Sequence, residues 1–120
     1  MDRAAKAALT SPAYKRSKKQ EKGLAKRYGG LQTAASGARH KKGDVYVNQV
    51  VRIEAKTTQK QSFSVTKEML DKLTLACVAC DELPVIVIEF LDGTGKPEGE
   101  LAVMPTWALE GLIGRAKTST

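Results

Sequence analysis

Asp44, Glu54 and Lys56 place two carboxylates and an amine within thirteen positions of one another. Spread over a surface they are ordinary charges. Brought together, two carboxylates can hold a hard cation such as Mg2+, which takes one or two carboxylates plus water and phosphate oxygens. A neighbouring ammonium can then steady the charge that builds on a phosphate under attack. Whether they come together depends on the strands that carry them.

Residues 44–47 and 51–57 alternate apolar and polar side chains and read as a β-hairpin. Val45 and Val47 must share a face with Val51 and Ile53, because a slip of one residue would turn half of them into water. A three-residue loop, Asn48-Gln49-Val50, meets this condition. It pairs Val47 with Val51 and Val45 with Ile53, and it sets Tyr46 against Arg52. Continued one step, the ladder places Asp44 opposite Glu54 on the face away from the valines, with Lys56 one step further along. Like charges so placed are destabilising. At about 5 Å and an effective dielectric near 20, the repulsion is roughly 3 kcal/mol. Lys56, Arg52 or a divalent cation must offset it, and a cation held by Asp44 and Glu54 fits the arrangement best. A structural reading, in which Glu54 and Lys56 merely pair, stays open.

The remaining elements follow from periodicity and punctuation. A helix is expected from Ala13 to Tyr28, stopped by Gly29-Gly30. Its apolar stripe is Leu24, Ala25 and Tyr28, and Glu21 falls on the same stripe, directed inward. Residues 29–43 read as a flexible loop. A second helix spans 66–80 with Thr66 as its cap. "LPVIVIEF", residues 83–90, is apolar on both faces and reads as a central strand. A turn over 93–99, a strand over 100–104 and a last helix from Thr106 complete the chain. Trp107, Leu109, Leu112 and Ile113 of that helix suit either core packing or a contact surface. The expected organisation is a basic arm over residues 1–12 and one domain over 13–120.

Charge is segregated. Residues 1–42 hold twelve Lys or Arg against Asp2 and Glu21, a balance of +10, whereas the other 78 residues balance at −3. Such a basic third suits a polyanion, with nucleic acid the leading partner. Lys15, Arg16, Lys18, Lys19, Lys22, Arg39, Lys41 and Lys42 are the candidate phosphate contacts. His40 either joins them or has no chemical role. A single histidine excludes a histidine-metal nuclease, and two cysteines cannot make a four-ligand zinc site. Cys77 and Cys80 read as a buried structural pair. No apolar run approaches the ~20 residues that span a bilayer, so an intracellular location is expected.

Asp44 followed by Glu54-Ala55-Lys56 on a strand resembles the PD-(D/E)xK nuclease signature. With Glu21 on a preceding helix, Ser36-Gly37 in the "SGARHKKGD" loop, and Thr57 after the lysine, it resembles the Holliday-junction resolvases of that superfamily, archaeal and phage endonuclease I alike. The resemblance covers residues 17–90. It implies a restriction-endonuclease-like α/β fold, a mixed central sheet flanked by helices. It also implies Mg2+-dependent hydrolysis of DNA, with Mn2+ able to substitute, branched or junction DNA as substrate, and a homodimer. Asp44 and Glu54 would be metal ligands, Lys56 the catalytic amine, Glu21 an auxiliary acid or further ligand, and Ser36 a backbone or substrate contact. The alternatives are a nicking or repair endonuclease acting on duplex DNA, and a non-catalytic basic DNA-binding protein.

Overall fold

Pro12 opens the first helix, where its missing N–H would be unpaired in any case, and no β-branched residue interrupts the run to Tyr28. The computed structural model describes residues 12–33 and 43–118, with side chains from residue 16 onward. The expected arm over residues 1–12 therefore lies outside the described residues except for Pro12. Helix α1 is Pro12–Tyr28, and Gly29 ends it at φ 65°. Gly30 then donates to Ala25 O at 2.8 Å.

The chain does not loop away after Gly30. Leu31–Gln32 forms strand β1, pairing Leu31 with Tyr46 and Gln32 with Val45. This corrects the expectation of a flexible loop across 29–43. The reason is steric: a Cβ on Gly30 would lie 2.6 Å from Tyr46 O, so glycine lets the two backbones meet. Residues 34–42 lie outside the description.

Strands β2, Val45–Val47, and β3, Val51–Thr58, form the hairpin in the expected register: Val47 with Val51, Tyr46 with Arg52, Val45 with Ile53. Helix α2, Lys67–Val78, is capped by Thr66, whose hydroxyl accepts from Met69 N, and it carries the chain to β4, Leu83–Leu91. Strand β4 runs parallel to β3. Strand β5, Pro97–Val103, returns antiparallel to β4. It starts earlier than expected because Asp92 closes the turn tightly, accepting from Thr94 N at 2.8 Å and Lys96 N at 3.0 Å. Helix α3 is Thr106–Thr118.

The fold is α/β: a mixed five-stranded sheet in the order β1-β2-β3-β4-β5, flanked by three helices and compatible with a restriction-endonuclease-like core. Alternation along β4 explains why its sequence is apolar throughout. Val85 and Val87 face α1 with Leu24, Val45 and Ile53, whereas Ile86 and Ile88 face α2 with Leu73. The face carrying Arg52, Glu54 and Lys56 is thus a second covered face and not an open one. Arg52, 5% exposed, bonds to buried Glu82 through Nε at 2.8 Å and lies over the Tyr46 ring. Arg52 therefore does not neutralise Asp44 and Glu54. On α3 only Ala108 is buried, and Trp107, Leu109 and Ile113 are each about half exposed, so core packing does not account for its apolar side. Among the described residues no helix is long and apolar enough to cross a membrane.

Candidate active site

The hairpin ladder ends at Val45 and Ile53, one step short of the Asp44–Glu54 pair that simple continuation requires. At Asp44 the backbone N–H donates to Ile53 O at 2.7 Å, and the carboxylate reaches across to β3, where Oδ2 accepts from Ala55 N at 2.8 Å. Glu54 reciprocates, its Oε2 accepting from Gly43 N at 3.0 Å. The two carboxylates thus exchange backbone donors between the strands. Charge-assisted bonds of this kind offset much of the repulsion between them. Lys56 adds a positive charge, with Nζ 3.5 Å from Glu54 Oε1. Glu54 is mostly covered and Lys56 half-exposed.

Gly43 makes this possible. It sits at φ 102°, and a Cβ there would lie 2.5 Å from Arg52 Cγ. The buried Arg52 side chain and the N–H that holds Glu54 therefore both depend on that position lacking a side chain.

Glu21 enters from α1. Its side chain is 14% exposed and lies 3.9 Å from Lys18 Nζ. Burial raises its pKa above the ordinary carboxylate value, and the negative charges of Asp44 and Glu54 push the same way against Lys18. The Glu21 side chain is mostly covered, as its place on the apolar stripe predicts. What fixes its helix is Gln20, which the sequence reading passed over. Gln20 is 3% exposed and donates from Nε2 to Lys56 O at 2.8 Å, and at 3.5 Å to Val87 O. Its Oε1 is buried without a hydrogen-bond partner. Spacing offered a signal: Gln20 lies four residues from both Leu24 and Arg16, on the covered stripe.

A raised carboxyl pKa has a definite sign in stability. The folded state holds the Glu21 proton more tightly than the unfolded chain does, so this residue destabilises the fold as pH rises from the ordinary carboxylate range through its raised value. Glu21→Gln is therefore expected to stabilise the protein at neutral pH. That advantage should fade as pH falls below the ordinary carboxylate range. Urea midpoints of both proteins across that range test this, and a pH-independent difference would contradict it.

Helix α2 supplies an opposite wall. Glu54 and Lys56 share a cavity of about 190 Å³ with Glu68, Met69, Lys72 and Leu73, in which Lys72 Nζ lies 3.1 Å from Glu68 Oε1. Glu68 also lies in the first turn of α2, near the positive end of the helix dipole.

Of the candidate phosphate contacts, Lys18, Lys19 and Lys22 are exposed on α1, and Lys18, Lys22 and Lys26 form a ridge at four-residue spacing. Arg16 turns inward. Its Nε donates to Glu89 Oε1 at 2.7 Å and its Nη2 bonds to Oε2, so this guanidinium neutralises a carboxylate that is 5% exposed. The Lys15 side chain and residues Ser36, Arg39, His40, Lys41 and Lys42 lie outside the described residues. Cys77 is buried, and burial with Glu82 nearby pushes its thiol up to about 11, which keeps it an unreactive packing group. Cys80 is only partly covered.

No family model matches the chain, and no curated protein matches it.

Mg2+ suits the donor set that the hairpin assembles. Asp44 and Glu54 offer hard carboxylate oxygens on adjacent strands, the number of protein ligands this ion characteristically takes. Among the described residues no three His, Cys, Asp or Glu side chains converge closely enough to cage an ion. Glu21 is linked to the pair by the repulsion of Asp44 and Glu54, which helps to raise its pKa.

Proposed function

We propose that the protein is a Mg2+-dependent endodeoxyribonuclease of the PD-(D/E)xK kind, selective for branched DNA such as a Holliday junction. The observation that carries this reading is the reciprocal clasp of Asp44 and Glu54 across the hairpin with Lys56 beside it. Two carboxylates brought to one end of the hairpin and steadied there by backbone N–H groups of the opposite strand support a site for a hard cation. A binding module gains nothing from negative charge near a phosphate backbone.

In this reading Asp44 and Glu54 hold the ion. When bound, it supplies Lewis acidity at the scissile phosphate and makes water a stronger acid. Lys56, kept near Glu54, directs its ammonium toward the charge that develops on the phosphate. Glu21 retains a proton at its carboxyl to higher pH than an ordinary glutamate and serves as the auxiliary acid. Lys18 and Lys22 bind phosphates on the outer face of α1. The exposed apolar side of α3, with Trp107, Leu109 and Ile113, suits a second copy, and a homodimer matches a junction with two symmetric strands to cut. An intracellular location, where such DNA occurs, accompanies this proposal.

The test is cleavage of a four-way junction, a flap and a linear duplex at one salt concentration, with Mg2+ or with chelator. The expected result is metal-dependent scission, fastest on the junction. Equal rates on all three substrates would remove the branch selectivity and leave the nuclease. No scission of any of them with Mg2+ or Mn2+ would remove the nuclease.

A further inference from the structure

A second cavity that carries basic groups lies apart from the one beside Glu54. It has a volume of about 590 Å³ and opens where β3 and β4 end, between the start of α1 and the β4–β5 turn. Thr57, Thr58 and Gln59 line one side, Lys19 and Arg16 another, and Leu91, Lys96 and Pro97 the third. Such a volume falls within the ordinary range for ligand sites of nucleotide size. Ligands of open α/β sheets collect outside the carboxyl ends of parallel strands, which is where this cavity lies.

Its charges have been sorted by the fold. Arg16 is tied to Glu89 at the floor, and Thr57 Oγ1 lies 3.5 Å from the same carboxylate, so that pair is internally neutral. Asp92 is turned into its own loop, accepting from Thr94 Oγ1 at 2.6 Å as well as from two backbone N–H groups. Lys19 and Lys96 are exposed and make no ion pair among the described residues. Thr58 Oγ1 accepts from Lys60 N at 3.0 Å, which leaves its hydroxyl hydrogen to donate elsewhere. Two ammonium groups, a hydroxyl donor and an apolar patch of Leu91 and Pro97 together suit a phosphate with its sugar attached.

We infer that this cavity is a subsite for the sugar–phosphate backbone of a DNA strand, next to the phosphate presented to Asp44, Glu54 and Lys56. Side chains alternate along β3, so Thr58 shares the Lys56 face while Thr57 turns with Glu89 to the α1 face, and the cavity lies at the strand end about 7 Å beyond Lys56, where the two faces meet. The inference rests on the nuclease reading for its substrate but not for its test.

The test measures binding of a short fluorescent DNA duplex in chelator, where no chemistry occurs, across a salt series. Lys19→Gln/Lys96→Gln is compared with Lys67→Gln/Lys117→Gln, which removes the same charge elsewhere. The cavity variant is expected to lose about tenfold in affinity, and its plot of log K against log salt should flatten by about 2. The control should keep the wild-type slope. In Mg2+ the cavity variant should raise KM and leave kcat near wild type. Indistinguishable slopes in the two double variants would overturn the subsite, whether or not the protein cuts DNA. A flattened slope in a protein that never cuts would keep the subsite and reject the nuclease.

Discussion

Asp44→Asn and Glu54→Gln should each reduce Mg2+-dependent strand scission by on the order of 10³-fold while leaving DNA binding intact or stronger. Both substitutions are isosteric and keep an oxygen that can accept from Ala55 N or Gly43 N, so the clasp between the strands survives. What disappears is negative charge. An ion loses its ligand, and loss of a preorganised electrostatic element at a reacting centre commonly reduces turnover by 10²–10³-fold. A phosphate backbone, in contrast, meets one carboxylate fewer and should bind at least as tightly. The diagnostic is this opposition between activity and affinity, read from scission rates in Mg2+ and from titrations in chelator. Wild-type rates in both variants would discard the proposed site. A joint loss of activity and binding would point to damaged folding, which a thermal melt would reveal.

The largest stability effect is expected away from the carboxylates, at Arg52 and Glu82. Their side chains are 6% and 1% exposed and meet at 2.8 Å, with the guanidinium over the Tyr46 ring. Removing one partner of such a pair leaves an uncompensated charge in a covered site and costs about 3–5 kcal/mol. Arg52→Met alone, or Glu82→Leu alone, should therefore lower Tm by roughly 12 °C or more. The double variant Arg52→Met/Glu82→Leu should recover most of that loss, because apolar groups of similar size replace buried ion pairs well. If the double variant is as unstable as the singles, the pair contributes more than mutual neutralisation.

Local reasoning found the elements whose causes are local. Alternation and a three-residue turn were enough to register Val45, Val47, Val51 and Ile53, and that register brought Asp44, Glu54 and Lys56 to one place. Apolar residues on both faces of 83–90 marked the central strand. Long-range partners were not legible. Arg16 reads as a surface cation until Glu89, 73 residues away, is placed beneath it. Arg52 reads as a neutraliser of nearby acids until Glu82 arrives through the α2 crossover. Strand β1 was missed because its cause is a close backbone approach at Gly30, which no periodicity records. The clasp of Asp44 and Glu54 was half legible: proximity followed from register, but the exchange of backbone donors depended on the ladder breaking off at Val45.

The lysine ridge on α1 has a consequence for the helix itself. Lys18, Lys22 and Lys26 repeat at four-residue spacing, and like charges so placed weaken an isolated helix by about 0.2–0.5 kcal/mol per pair. No acid occupies its first turn to favour the dipole. Among its described side chains Leu24 is the one fully covered large apolar group, and Gln20, Arg16 and the Arg27–Glu100 pair add polar ties to the sheet. Helix α1 is thus self-repelling, and the sheet holds it in shape. A polyanion lying along the ridge would relieve that repulsion, so helical order in α1 and occupancy of its outer face reinforce one another, and the helix that carries Glu21 is firmest when its lysines are engaged.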